Sequence, residues 1–181
     1  MEPTITRTHG RPADRRTPEE EAIYDRLEEL NISFDRVDHP HADTMEACQR
    51  IESALGGKIC KNLFLCNRQQ TDFYLLMMPG DKVFRTKHLS AALGVSRLSF
   101  AGEEHLSALL RTVPGSVSAL ELLFDTAGRV RLIIDEDLLA DDTVSGHPGL
   151  STSTLRMSRE DLLRYVRSTD HAPTVVHLLT D

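Results

Sequence analysis

Several features that would place a chain in a membrane or outside the cell are missing from this sequence. No stretch of the 181 residues reaches the roughly 18 consecutive apolar residues of a membrane-spanning helix. Residues 1–16 lack the apolar run of a signal peptide. We therefore expect a cytoplasmic protein. Tryptophan is absent too, but hydrophobic residues make up 40% of the chain, which is enough for the core of one domain.

Cysteine is too scarce to build a disulfide framework. The chain has Cys48, Cys60 and Cys66 with no CxxC pair, and an odd count in a cytoplasmic protein favours reduced, mostly buried thiols. His39 and His41 stand two positions apart, but no third ligand follows at the spacing of a metal site. We expect no metal and no other cofactor.

Familiar catalytic motifs are missing as well. The glycines at 56–57 and the lysine after them lack the rest of a phosphate-binding P-loop, and no GxSxG nucleophile motif occurs. No Ser/His/Asp arrangement can be argued from the order of the residues. The chemistry of this chain must therefore be sought in less familiar patterns.

The charge distribution is the first positive signal. The formal net charge of −7 at face value argues against nucleic-acid binding, yet residues 56–100 hold seven basic residues against two acidic ones, a local balance of +5. Local fields rather than the total charge steer a polyanion, so this segment is a candidate surface for one. An ordinary solvated surface is the competing interpretation. The basic residues are Lys58, Lys61, Arg68, Lys82, Arg85, Lys87 and Arg97.

The periodicity of the chain predicts one α/β domain over residues 17–181 behind a disordered tail at 1–16. Tight turns between several strands imply antiparallel pairing within a mixed sheet. Capping signals at Thr17, at Asp43 or Thr44, and at Ser158 begin three of the helices. We predict helices at 17–30, 43–55, 86–94, 102–112 and 158–168, and strands at 33–39, 58–66, 72–79, 96–100, 130–139 and 173–179, with a loop leading into a strand at 113–125 and a strand and loop at 143–157.

Lys61 and Asn62 interrupt the strand predicted at 58–66. Neighbours on a strand point to opposite faces, so whichever face is the core, one of these polar side chains is directed towards it. An edge strand with a lysine reaching to solvent would explain the pattern without any function. The functional interpretation is the floor of a pocket, where Lys61 offers a positive charge to an anionic or carbonyl oxygen.

Two loops carry further candidate residues. In the segment PGSVSAL at 114–120, Pro-Gly sets a turn and small residues let backbone groups approach a ligand closely. In SGHPGLSTST at 145–154, the proline after His147 restricts that histidine, and hydroxyl residues follow. Plain turns and surface loops remain the alternatives. The candidate residues are Gly115, Ser116, Val117, Ser118, Gly146 and His147.

Three blocks in this order resemble the YbaK/ProX family of aminoacyl-tRNA deacylases, and within it the free-standing, PrdX-like prolyl-tRNA editing branch. The blocks are CKNLFLC at 60–66, LSFAGEEHLSALLRTVPGSVS at 98–118, and GHP at 146–148 with the hydroxyl residues after it. A stretch with His39, Pro40 and Thr44 resembles the family's early His-Pro…Thr stretch more loosely. The resemblance covers roughly residues 33–178.

The resemblance implies a fold, an activity and a set of roles. The fold would be a single domain with a mixed, mostly antiparallel and partly barrel-like sheet surrounded by helices. The activity would be hydrolysis of a wrongly charged amino acid, most typically alanine, from proline tRNA, without a metal or a covalent intermediate. Lys61 would engage the 3′-terminal adenosine, backbone groups of the loop at 115–119 would hold the ester and the water, and Asn62, Thr44 and His147 would line the site.

The chain departs from the family pattern at several positions. Ala119 stands where the glycine-led loop usually ends in proline, Ser151-Thr152 replaces an Asn-Thr pair, and Phe124-Asp125 replaces Asn-Asp. These positions lie where the pocket for the amino acid is expected. The substrate could therefore be tRNA charged with Cys, Ser or Thr instead of Ala.

Two functions other than deacylation remain as alternative hypotheses. One is a non-catalytic module that binds tRNA or prolyl-tRNA synthetase, which Ala119 favours, while the retained Lys61 and glycine loop oppose it. The other is a ligand-binding regulator of amino-acid metabolism. The expected partners are the acceptor end of mischarged proline tRNA and, as a second candidate, prolyl-tRNA synthetase.

Overall fold

The strands of the computed structural model, which describes residues 4–180, divide between two sheets. The first sheet is antiparallel in the order β1-β2-β8-β7, and the second has the order β5-β3-β4-β6-β9. Within the second sheet β4/β6 and β6/β9 are parallel. The strands are β1 (Arg7–His9), β2 (Asp35–Asp38), β3 (Cys60–Cys66), β4 (Phe73–Pro79), β5 (Ser99–Phe100), β6 (Val130–Asp135), β7 (Thr143–Gly146), β8 (Ser153–Ser158) and β9 (Thr174–Val176).

The helices begin and end close to where the capping signals predict. Thr17 and Glu20 form the predicted capping box, Thr44 rather than Asp43 caps the second helix, and Gly56 ends it with a φ of 76°. Within residues 4–180, no helix combines the length and the apolarity that a bilayer crossing requires. The helices are α1 (Pro18–Glu29), α2 (Met45–Leu55), α3 (Thr86–Leu93), α4 (Glu103–Leu110) and α5 (Arg159–Ser168), with 3-10 helices at Ala119–Phe124 and Glu136–Ala140.

The α/β class and the mixed, mostly antiparallel pairing are confirmed. Two details differ from the prediction, because the strands form two sheets rather than one and those within residues 4–180 do not close into a barrel. The parallel pairs explain why every residue from Phe73 to Met78 is buried, since a strand in such a sheet is covered on both faces.

Both faces of the second sheet are covered by apolar clusters. Alternate residues of β3, β4 and β6 contribute to the main core, which lies against the first sheet and α1, α4 and α5. The intervening residues face a second cluster that includes Leu89 of α3. A strand such as β3 therefore directs its odd-numbered and even-numbered residues into different clusters.

Two predicted strands are wrong in part. The segment at 113–125 does not run into a strand but forms the 3-10 helix Ala119–Phe124, which Ser118 caps by accepting a hydrogen bond from the Leu120 N–H. The strand predicted at 130–139 ends at Asp135, whose side chain accepts from the Asp137 N–H and begins the second 3-10 helix. Short apolar runs do not distinguish a strand from a helix, and the capping side chains decide here.

The segment at 4–16 is predicted to be disordered, but the structure shows that part of it forms a strand and ion pairs. Residues 1–3 of the predicted tail lie outside the described residues, but Arg7–His9 pairs with β2 and Arg11 forms ion pairs with three acidic residues of α1. Arg16 binds Asp14 and Asp38. The polar composition of this segment suggests disorder by itself, but the acidic face of α1 and the edge of β2 supply partners for it.

Candidate functional site

A small cavity of about 60 Å³ brings together the two loops that the sequence singles out. Gly115 comes from the glycine loop, the segment 114–118, and His147 comes from the histidine loop, the segment 147–152 between β7 and β8. The region between β2 and α2 supplies His39 and His41, and Ser151 of the histidine loop also lines the cavity. Gly115 and His147, two of the predicted site residues, thus lie in one cavity.

Gly115 occupies a position that favours glycine. Its φ is +87°, which lies in the left-handed region, and a Cβ there would approach the His41 Cε1 to 3.1 Å. The next residue, Ser116, is buried, and its Oγ accepts a hydrogen bond from the Ser151 N–H at 3.0 Å. The glycine loop is therefore fixed to the histidine loop with its backbone next to the cavity.

Ser118 makes a second connection between these loops. Its Oγ donates to the carbonyl oxygen of His147 at 2.6 Å, and the same Oγ also contacts the carboxyl group of Glu121. Ser118 and Glu121 are both buried. The two loops that line the cavity are consequently joined at Ser116 and at Ser118, which fixes the distance between them.

The hydrogen bonds of the buried His39 and the half-buried His147 define their tautomers. His147 Nδ1 lies 2.7 Å from the carbonyl oxygen of Ser153, and His39 Nδ1 lies 2.8 Å from that of Pro40. A carbonyl oxygen only accepts, so each Nδ1 carries the proton and each Nε2 keeps a lone pair. The Nε2 of His39 uses that lone pair to accept from the Thr154 hydroxyl at 2.8 Å.

Burial keeps both imidazoles neutral. It lowers the pKa of His147 and of His39 below the ordinary histidine value, because the charged form loses hydration. The ring centroids of the two histidines are 6.4 Å apart, and the charges of protonated His39 and His41 would lower the pKa of His147 further. The cavity therefore contains a neutral His147 whose Nε2 can accept a proton or a hydrogen bond.

Lys61 and Asn62 lie on opposite faces of β3, as the alternation predicts. Asn62 points towards the main core, with its Nδ2 3.7 Å from the Cys60 Sγ and its Oδ1 buried without a hydrogen-bond partner. Lys61 points towards the other cluster and donates to the carbonyl oxygen of Lys82 at 2.5 Å. No contact described in residues 4–180 joins Lys61 to Gly115 or His147, so the structure does not bring the three together directly.

The connection between β3 and the histidine loop runs through Cys60. Its N–H donates to the Ser145 Oγ at 3.2 Å, and its Sγ contacts the carbonyl oxygen of the same residue. Cys60 is a free thiol whose pKa is raised by burial, which favours the neutral form. Gly146 follows Ser145, and a Cβ on Gly146 would be 3.5 Å from the Ser118 Cβ.

Two of the remaining predicted residues have structural environments. Thr44 is exposed, and its hydroxyl accepts from the Ala47 N–H at the start of α2, facing an outer groove rather than the cavity. Val117 is half-buried and packs against the main core. Neither side chain is among those that line the small cavity.

A larger cavity of about 310 Å³ lies on the other side of Ile59, which lines both. None of the predicted site residues lines it. Its charged wall is internally paired, because the Lys82 Nζ lies 2.7 Å from Asp135 and 2.9 Å from Asp137. These carboxylates could approach a cation together with His177, but Lys82 already forms ion pairs with both of them. The small cavity, where the two loops meet, is therefore the better candidate site.

The basic segment predicted at 56–100 divides in the structure. Lys82 forms ion pairs with Asp135 and Asp137, and the Lys58 Nζ lies 3.8 Å from the Asp81 carboxylate, so both charges have acidic neighbours. Three others gather around an open cleft of about 430 Å³, which we call the basic cleft and which is lined by Phe84, Arg85, Thr86, Lys87 and Arg97. The exposed Phe100 contacts Phe84 edge-on at 6.0 Å, next to this cleft.

The sequence patterns do not assign His41 or Glu121 to the site. His41 Nδ1 lies 2.6 Å from the Oγ of Ser151, a residue that the sequence places near the amino-acid pocket. From the sequence, His41 is considered only as a metal ligand, although it follows His39 and Pro40 in a stretch that resembles the family. Glu121 sits in an apolar run, ALELLF, and an acid within such a run could have indicated a buried carboxyl.

Residues 39–165 match the sequence model of the aminoacyl-tRNA editing domain. The chain belongs to this family. Among its relatives is the prolyl-tRNA editing protein ProX of Acetoanaerobium sticklandii, which is 29% identical over 158 residues and is aligned over 87% of this chain and 96% of its own length. The prolyl-tRNA synthetase associated domain-containing protein 1 of Danio rerio is 32% identical, with 83% and 82% covered.

Solved structures give the same fold for the editing domain. A crystal structure described as a candidate trans-editing enzyme for prolyl-tRNA synthetase aligns with a TM-score of 0.64 over 90% of this chain and 99% of that one, at 19% identity. The family that the three motifs predict is thus confirmed, together with its enzyme class, an aminoacyl-tRNA hydrolase.

Proposed function

We propose that this editing domain acts in trans to remove a wrongly attached amino acid, most readily alanine, from proline tRNA. The observation that carries the proposal is the cavity in which the left-handed Gly115 backbone faces the neutral His147. The name of the ProX relative, a prolyl-tRNA editing protein, supports the choice of tRNA. Prolyl-tRNA synthetase is a second candidate partner.

Hydrolysis of the aminoacyl ester does not require a nucleophilic side chain. An ester between an amino acid and a ribose hydroxyl is already activated, so the site must hold it, place a water and stabilise the developing oxyanion. Backbone groups of the glycine loop would hold the ester, and the adjacent 2′-hydroxyl would assist proton transfer. For this role the retained Gly115 is more important than the residue at 119, because Ala119 is buried at the start of a capped 3-10 helix.

His147 would orient the water. Its Nδ1–H is engaged by Ser153, which fixes the ring and leaves the Nε2 lone pair to accept a hydrogen bond from that water. Asn62 would form part of the wall below, where its Oδ1 lacks a partner in the described residues. This mechanism requires no covalent intermediate.

Selection would rest on size. A cavity of about 60 Å³ has room for roughly four to six water-sized groups, since each needs about 10–15 Å³. That suits an alanyl group better than the proline ring. A synthetase pocket for proline cannot strongly reject a smaller residue, because a missing methylene is worth only about 1–3 kcal/mol. A second, smaller site removes that error.

Lys61 and the basic cleft would bind the RNA. An ammonium group has three donors, so the hydrogen bond from Lys61 to Lys82 leaves two for the 3′-terminal adenosine. Val83 and Phe84 follow Lys82 and lead to the basic cleft, where phosphates of the acceptor stem would meet Arg85, Lys87 and Arg97.

The decisive experiment measures release of the amino acid from proline tRNA charged with Ala, Cys, Ser, Thr or Pro. Wild type, Lys61→Ala and the exposed neighbour Lys58→Ala are compared, with and without a chelator. We expect fast release of alanine and no release of proline. Lys61→Ala should raise the barrier by about 2–4 kcal/mol, or roughly 30- to 1,000-fold in rate, and Lys58→Ala should not.

Other outcomes select the alternatives. Preferred release of Cys, Ser or Thr would keep the activity and change the substrate. Binding of tRNA without any release would favour the non-catalytic module that binds tRNA or a synthetase. Tight, saturable binding of a free amino acid without tRNA binding would favour a regulator.

A further inference from the structure

The hydroxyl of Ser118 has three hydrogen-bond neighbours. The Leu120 N–H lies 3.2 Å from its Oγ, the carbonyl oxygen of His147 lies 2.6 Å away, and the Glu121 carboxyl group completes the set. All of these contacts lie inside the protein, because Ser118 is 1% exposed and Glu121 is fully buried. Water therefore cannot supply a missing donor.

A count of the available protons constrains Glu121. A hydroxyl group donates one hydrogen bond and accepts two. The carbonyl oxygen of His147 only accepts, so the Ser118 proton goes there, and the Leu120 N–H fills one of the two acceptor positions. The contact with Glu121 then needs a donor, and a carboxylate has none, whereas a protonated carboxyl does.

The second oxygen of Glu121 points to the same state. Oε1 is buried and has no hydrogen-bond partner. An ionised carboxylate with one bare oxygen would be costly in such a place, and a neutral acid is much less so. Burial also raises the pKa of Glu121 well above the ordinary glutamate value, against smaller opposing effects of its contacts with Ser118, with nearby backbone N–H groups and with the Thr112 hydroxyl.

We propose that Glu121 is a neutral carboxylic acid and a positioning residue, whose proton completes the hydrogen bonding of Ser118 and so ties the glycine loop to the histidine loop. When Glu121 ionises, the single proton of the Ser118 hydroxyl cannot serve both the Glu121 carboxylate and the His147 carbonyl oxygen. One of these two contacts then brings two acceptor oxygens together without a proton, and the repulsion separates the loops. The protonation state follows from the geometry alone, while its effect on hydrolysis rests on the proposed function.

The elements packed against this 3-10 helix carry few groups that compete for the role. Tyr165 of α5 donates its hydroxyl to the carbonyl oxygen of Leu120 at 2.8 Å, and its pKa is raised mainly by burial. Glu20 of α1 is engaged in the capping box, and Arg111 after α4 lies over the Phe124 ring. None of these three side chains forms a hydrogen bond with Glu121 in the described residues.

Infrared spectroscopy of the whole protein tests the protonation state without any substrate. At neutral pH we expect a C=O band of a protonated carboxyl that shifts when glutamate is labelled with ¹³C, that is lost in Glu121→Gln, and that persists in the exposed control Glu103→Gln. Ordinary carboxyls are ionised at that pH. Absence of a label-sensitive band from the unaltered protein would overturn the proposal even if no variant folded.

The pH profile of alanine release tests the positioning role. After subtraction of the spontaneous hydrolysis of the ester, the wild-type rate should fall about tenfold per pH unit once Glu121 ionises. Glu121→Gln, whose amide can still donate to Ser118, should keep the neutral rate and lose that alkaline fall. An identical alkaline fall in both proteins would refute the positioning role. If neither protein released any amino acid, the proposed function would fail while the infrared result still decided the state of Glu121.

Discussion

At the scale of single residues, environment rather than residue type determines the chemistry of the site. His147 is an ordinary histidine in the sequence, but burial and the Ser153 carbonyl make it neutral with a known tautomer. Glu121 would be counted as an acid from the sequence, yet its surroundings favour the neutral form. Both effects have the same cause, because removing water penalises whichever form is charged.

The buried histidines make the stability of the fold sensitive to acid. The pKa of His147 is lowered in the folded state, so the unfolded chain binds the proton more readily. The stabilisation is complete above about pH 6.5, the unfolded value, and is lost as the pH falls towards the folded value. We expect the unfolding free energy of wild type to drop as the pH falls below about 6.5, by up to about 1.4 kcal/mol per pH unit for this group.

Urea unfolding at several pH values checks this expectation. His147→Gln should unfold with a weaker pH dependence across that window, because glutamine does not titrate. The pKa of His39 is also lowered, so a reduced slope should remain in the variant. Equal slopes in the two proteins would show that His147 gains its proton equally in the folded and unfolded states.

At the scale of elements, the site depends on loops held by neighbouring strands. β7 and β8 pair in register from Thr143 with Ser158 to Gly146 with Leu155, and the histidine loop joins their ends. The glycine loop lies between α4 and the first 3-10 helix and is fixed by Ser116 and Ser118. A rigid frame of this kind positions backbone groups without needing a reactive side chain.

Replacing Gly115 by alanine should separate backbone strain from a local clash. Gly115 and Gly128 both have positive φ, +87° and +68°, but a Cβ on Gly115 would meet His41 at 3.1 Å, whereas one on Gly128 has nothing within 4 Å. Each substitution should destabilise the fold by about 1 kcal/mol or more through strain. Only Gly115→Ala should also lower the rate of alanine release, by at least tenfold.

Thermal unfolding and the tRNA assay together measure the two effects. A loss of activity in Gly128→Ala as large as that in Gly115→Ala would mean that general destabilisation, and not the position of the glycine loop, limits hydrolysis. An active Gly115→Ala would remove the glycine loop from the proposed mechanism.

At the scale of the whole molecule, positive charge is concentrated although the total is negative. The net charge is −7, and arginines near the N-terminus are neutralised by acids, as in the ion pairs of Arg11 with Glu21 and Arg16 with Asp38. The basic cleft keeps Arg85, Lys87 and Arg97 together on one surface. The acidic remainder should oppose non-specific RNA binding, and under the proposed function this would direct tRNA to the basic cleft.

The salt dependence of tRNA binding tests this surface. Arg97→Ser should weaken binding at low salt and reduce the slope of log K against log salt by about 0.7–0.9, the value for one lost phosphate contact. Arg167→Ser, an exposed arginine of α5, is the matched control and should leave the slope unchanged. Equal effects of the two substitutions would indicate binding to the general surface rather than to the basic cleft.

Local sequence patterns are sufficient to predict most of the helices and strands and the family. Capping residues such as Thr17 and Ser158 set the helix starts because they satisfy backbone donors within one turn. The alternation along β3 separated Lys61 from Asn62 correctly. The blocks around Lys61, Gly115 and His147 were specific enough to indicate the editing domain. These signals are local, so a one-dimensional pattern contains them.

Which of these residues come into contact depends on the packing of distant segments. The order β5-β3-β4-β6-β9 and the separate first sheet depend on contacts between distant segments, and so does the strand at Arg7–His9, whose partner is β2. The same long-range packing joins Gly115 to His147, leaves Thr44 as a helix cap, and buries Glu121 beside Ser118. Protonation states and cavity size follow from the exclusion of water, which exists only once the chain has folded.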